Sequence, residues 1–78
     1  MDIQTIRTFL QNDVLNDPSF VIEADQDLLL SETLDSLGVN RLVEYLEGET
    51  GRSIPPEDVT LENFRSLNAI LSYLERSA

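Results

Sequence analysis

Between Asp35 and Gly51 the chain carries one uninterrupted apolar period, and this stretch dictates what the rest must do. At about 100° per residue, Val39, Leu42, Val43 and Leu46 fall within one arc, so the spacing predicts an amphipathic helix that needs other elements to cover it. Asp35 or Ser36 can cap its start, and Gly51 after Thr50 suits the left-handed position that ends a helix. Gly48 inside it should cost roughly 1 kcal/mol relative to alanine. Ser36, Asn40, Glu44 and Glu47 fall on the side away from the arc, with Leu37 and Arg41 flanking this polar stripe.

Two further helices can supply the cover. Ile3, Ile6, Leu10 and Val14 recur at spacings of three and four, with Phe9 beside them and Asp2 as N-cap. Asn16-Asp17-Pro18 ends that helix, because proline disfavours helix in the residue before it. Near the end of the chain Ser66 can cap a helix in which Leu67, Ile70, Leu71 and Leu74 line one face, with Tyr73 at the edge. Ile54-Pro55-Pro56 reads as an extended connector, and Pro56 suits the first position of a short helix through Glu57, Asp58 and Val59.

The stretch from Ser19 to Leu34 sustains no period. Phe20-Val21-Ile22 could form a strand but has no partner strand, and Leu28-Leu29-Leu30 could begin a helix. It reads as a long loop pinned to the core by leucines, and loops of such length inside small domains are often functional. The expected fold is all-α: one domain over residues 1–78, a small four-helix bundle of three longer helices and one short helix, with a long loop between the first two.

Composition narrows the function. Of 78 residues 15 are acidic and 5 basic, giving a net charge of −10. That balance argues against nucleic acid, which needs clustered Lys and Arg, and against an anionic membrane surface. No apolar run exceeds Leu28-Leu29-Leu30, and Met1-Asp2-Ile3 opens no secretory signal, so a cytoplasmic protein is expected. There is no Cys and no His, and every basic residue is arginine. The chain therefore lacks a thiol nucleophile, an imidazole base, a Schiff-base amine and a thiolate zinc site. Only carboxylates, hydroxyls and arginine remain, which makes a self-sufficient enzyme an unfavourable reading. Glu57-Asp58 with Glu62 shows no calcium-loop pattern and reads as charged surface, so no metal site is expected.

The strongest local signal is Asp35-Ser36-Leu37 at the start of the second helix. Around it stand Leu34, Val39, Leu42-Val43, Leu46-Glu47, Gly51, Ile54-Pro55, Glu57-Asp58 and Phe64-Arg65-Ser66-Leu67, followed by Ile70 and Leu74. Together these resemble the acyl carrier protein family, including the discrete and modular carriers of polyketide and peptide assembly lines. The resemblance runs from the first helix to Leu74. It implies that Ser36 receives 4′-phosphopantetheine from coenzyme A through a separate, magnesium-dependent phosphopantetheinyl transferase. The arm's thiol would then hold acyl or aminoacyl groups as thioesters. The chain would be a non-catalytic, monomeric carrier served by acyl- or aminoacyl-loading enzymes and downstream synthase enzymes with basic docking patches.

The residues themselves agree with this. A serine in the first helical turn lies beside unpaired N–H groups and the positive end of the helix dipole, which favour a phosphodiester. No side chain here can deprotonate Ser36, so a partner must supply the base. A plain N-cap is the bland reading of Ser36 and is compatible with attachment. Asp35 fits either a first-turn acid or, in family terms, a residue that helps to position the transferase's metal. Leu37, outside the apolar arc, matches a leucine that meets partner enzymes in the family. The family also implies that the second helix is a docking surface, formed here by Asp35, Leu37, Asn40, Arg41, Glu44 and Glu47. Carriers of ordinary fatty-acid synthesis commonly place an acid where this chain has Asn40-Arg41. That departure, with the Phe64-Arg65-Ser66-Leu67 lead-in to the last helix, favours a specialised polyketide, peptide or modified-acyl pathway over general fatty-acid synthesis. The rival from another class is an acidic helical interaction module without a prosthetic group.

Overall fold

The first helix starts where its cap permits. In the computed structural model, which describes residues 1–76, α1 spans Ile3–Phe9 behind the N-cap Asp2. Asp2 Oδ1 accepts the Thr5 N–H at 2.9 Å and the Thr5 hydroxyl at 2.8 Å, and these bonds hold the Asp2 carboxyl below its ordinary range. The helix was expected to stay regular to Val14. Instead its last turn widens into a π-helical turn over Leu10–Val14, closed by the Leu15 N–H on the Leu10 carbonyl at 2.8 Å. Asn16 then turns the chain with a φ of 53°.

The following segment forms neither strand nor helix. Its backbone groups are satisfied partly by other backbone groups and partly by side chains, which is how irregular chain survives against a core. The Phe20 carbonyl accepts from Gln11 Nε2 at 2.7 Å and the Ile22 carbonyl from Arg7 Nε at 2.8 Å. Asp27 Oδ1 takes the N–H groups of Leu29 and Leu30, at 3.0 and 2.6 Å. The loop is pinned by Leu28 and Leu34, as expected, and also by Ile22; Leu30 is exposed.

The second helix, α2, spans Ser36–Thr50 and ends at Gly51, whose φ of 71° is left-handed. Ile54 is buried, and a single 3₁₀ turn follows at Pro56–Asp58, one residue short of the expected Val59. A further short helix, α3 at Leu61–Phe64, was not anticipated; Thr60 caps it by accepting the Asn63 N–H at 3.2 Å. The last helix, α4, spans Leu67–Arg76, and Ser66 Oγ accepts the Ala69 N–H at 3.1 Å as a cap would. Tyr73 lies inside rather than at the edge, with its hydroxyl 2.7 Å from Asp58 Oδ2, whereas Leu71 is only half-buried.

Ile6, Leu10, Leu28, Leu42, Leu46, Phe64, Leu67 and Ile70 have no exposed surface, so every long helix, α3 and the loop meet in one core. Each such side chain contributes about 1.5–3 kcal/mol by burial. Phe9 and Tyr45 stack with centroids 4.0 Å apart and bind α1 to α2. Burial, helped by nearby Glu49, raises the Tyr45 phenol above its ordinary range. The radius of gyration is 11.3 Å, against about 11.5 Å for a folded domain of this length. The result is an all-helical bundle with no strand among the described residues, and no helix of these is long and apolar enough to cross a membrane.

Candidate functional site

Asp35, and not Ser36, caps α2. Its carboxylate accepts the Gly38 N–H at 2.8 Å. Ser36 is thereby the first helical residue, exposed, and its hydroxyl has no hydrogen-bond partner among the described residues. The N–H groups of Ser36 and Leu37 are also unpaired among those residues, as the first turn of a helix dictates.

Gly38 explains how this turn is placed. It is buried, and a Cβ there would lie 3.1 Å from Val14 Cγ1 and 3.4 Å from Leu34 Cδ2. The absence of a side chain therefore lets the π-turned end of α1 press against the start of α2. That contact could not be read from the spacing, because it joins residues far apart in the chain.

Beside Ser36 lies an open cleft of about 750 Å³. Leu29, Leu34, Val39, Val59, Leu61 and Phe64 line it with apolar surface, and Glu32, Asp35, Asn40 and Thr60 supply polar groups. The cleft is thus framed by the loop, the first turns of α2, and α3. The sequence reading had named Asp35, Ser36 and Asn40 here but missed Glu32, Thr60 and Leu61. Thr60 had left one signal, a residue type that caps helices three places before Asn63.

The remaining residues of the polar stripe separate into two groups. Leu37, Asn40, Arg41 and Glu44 are exposed, and Arg41 has no hydrogen bond or ion pair among the described residues. Glu47 is half-buried, and its Oε2 accepts the Ile54 N–H at 2.7 Å. Its carboxylate thus holds the connector to α2 rather than standing free beside Glu44. No cluster of three or more Cys, Asp or Glu side chains that could hold a metal occurs among the described residues.

A family model described as the phosphopantetheine attachment site matches residues 4–74. The chain belongs to the phosphopantetheine-binding carriers. No match is found among curated proteins. As a member of this acyl and peptidyl carrier family, the protein bears a covalent 4′-phosphopantetheine. Carriers of this kind are generally non-catalytic and work with a phosphopantetheinyl transferase and with synthase enzymes. The carrier's residues fit such a group: an exposed hydroxyl stands beside N–H groups at the mouth of an open cleft, all of them unpaired among the described residues.

Proposed function

We propose that Ser36 is the attachment residue. The observation that carries this reading is the division of labour in the first turn: Asp35 does the capping, and the exposed Ser36 hydroxyl is left without a partner among the described residues. A transferase supplies the base. The Ser36 oxygen forms a bond to the pantetheine-bearing phosphorus of coenzyme A, its proton passes to that base, and the nucleotide part leaves. Ser36 would hold the phosphodiester, and the positive end of α2, with the N–H groups of Ser36 and Leu37 unpaired among the described residues, would favour its charge. When bound, the group supplies a thiol that holds cargo as a thioester, which a chain without cysteine cannot do for itself.

The exposed side chains Asp35, Leu37, Asn40, Arg41 and Glu44 form the docking surface in this proposal, with Glu47 at its inner edge. Partner enzymes reach it with basic patches. Arg41 interrupts the acidic stripe and discriminates by repulsion as well as attraction. Asn40-Arg41 supports a specialised polyketide, peptide or modified-acyl pathway. The protein works as a cytoplasmic monomer in this reading, as one domain.

Incubation with coenzyme A and a broad-specificity phosphopantetheinyl transferase, followed by intact mass measurement, tests the attachment. One added phosphopantetheine is expected, and none in Ser36→Ala. A folded protein of unchanged mass would instead favour the acidic interaction module. Introducing the gene into a strain lacking its fatty-acid carrier tests the pathway, where efficient rescue would contradict the specialised role.

A further inference from the structure

The loop that leads to Ser36 contains a residue in a costly conformation. Glu32 has a φ of 61°, in the left-handed region that suits glycine and strains a long side chain. The surrounding bonds leave it little choice. Leu28 donates its N–H to the Arg65 carbonyl at 2.7 Å, and Leu34 donates to the Leu28 carbonyl at 2.8 Å. Both leucines are buried. The chain must therefore reverse between two anchored points, and the Glu32 N–H closes a turn on the Leu29 carbonyl at 3.1 Å. Glycine would meet that demand without strain, yet an acidic residue occupies the position.

Its side chain points to the reason. Glu32 is exposed and lines the same cleft as Asp35 and Ser36. Its carboxylate has no hydrogen bond or ion pair among the described residues. It does not cap, fasten or neutralise anything there. Strained residues that persist beside a functional group are candidates for a role in it.

We infer that Glu32 is a recognition residue for the carrier's partner enzymes: it holds a carboxylate on the loop side of Ser36 and binds a basic side chain of the enzyme approaching that serine. This rests on the carrier reading and extends it. The docking surface then spans the cleft, with Glu32 on its loop side and Asp35 and Asn40 at the start of α2. A partner must present positive charge to both sides, which orients it across the serine instead of along α2.

Three variants separate charge from backbone. Glu32→Gln removes the charge and keeps the strain, Glu32→Gly removes both, and Glu32→Asp keeps the charge. Transfer from coenzyme A by a broad-specificity transferase is followed at low and high salt, with Tm measured for each protein. Recognition predicts that Gln and Gly raise the KM for the carrier about fivefold at low salt, the upper range for an exposed ion pair. Their kcat should stay unchanged, the difference should fade near 1 M salt, and Asp should behave as wild type. Glu32→Gly should melt at or above the wild-type temperature. A wild-type KM in Glu32→Gln overturns the inference, and so does a normal KM in Gly beside an impaired Gln, which would assign the effect to the backbone. If the wild-type protein takes no phosphopantetheine, the carrier reading fails and the recognition role fails with it.

Discussion

The two ends of α2 are built for opposite purposes. At its C-terminal end side chains fasten the chain to itself. Thr50 Oγ1 donates to the Leu46 carbonyl at 2.7 Å, Glu47 holds the Ile54 N–H, and Arg52 Nη2 reaches the Leu74 carbonyl at 3.1 Å. At the N-terminal end a single carboxylate, Asp35, caps the helix, while the Ser36 hydroxyl stays unpaired among the described residues at the edge of an open cleft. Side chains tie the C-terminal end to the chain that follows it, whereas the N-terminal turn is seated by Gly38 against Val14 and leaves its polar face open. Stability and availability are separated along one element about 22 Å long, at 1.5 Å per residue.

Substitutions that strike each end should expose that division, the anchored end most strongly. Leu46→Ala removes a side chain with no exposed surface and should cost about 2–5 kcal/mol. In a domain this small that approaches the whole stability, so thermal melting should show a large fall in Tm or an unfolded protein. Unchanged melting would mean that the core does not rest on this end. Glu47→Ala leaves the Ile54 N–H without its acceptor and should cost about 1–3 kcal/mol by urea unfolding, while Glu47→Gln, which keeps an acceptor, should cost less. Equal losses for both would assign the effect to charge instead. The open end should respond least: Asp35→Ala should lose about 1 kcal/mol of capping energy, and Ser36→Ala less than about 0.5 kcal/mol. A larger loss in Ser36→Ala than in Asp35→Ala would reverse the roles given to the two residues.

What could be read in advance follows from how local each determinant is. The limits of α2, its left-handed Gly51, the caps of α1 and α4 and the irregular loop all depend on neighbouring residues, and their signals lie in the sequence. The widened turn at Leu10–Val14 was hidden because its apolar spacing also satisfies an ordinary helix. The four residues of α3 are too few to show a period. Gly38 and Glu47 were misjudged or unnoticed for one shared reason: their roles are set by Val14 and Ile54, which only folding brings near. On angular position alone Glu47 belongs to a solvated stripe, but a long side chain can bend toward a backbone group that returns beside it. Of the residues that line the cleft, Asp35 and Ser36 stand out in the sequence by their motif, whereas Glu32 leaves no signal, since nothing in the residue order announces a left-handed backbone.

The arginines carry a last consequence. Among the described residues three of the five side chains hydrogen-bond, all to uncharged oxygens: Arg7 to Ile22 and Gln4, Arg52 to Leu74, and Arg76 to Ser72 and Asn63. No arginine is bonded to a carboxylate there, so the acidic surface is not cancelled from within. Such a molecule travels inside a sheath of small cations drawn from solution. A basic partner of the kind proposed would displace part of that sheath, and the freed ions would add their own disorder to the driving force, as they do when cationic proteins meet dense rows of negative charge. Each encounter is helped by what it expels, and each departure must gather the sheath again.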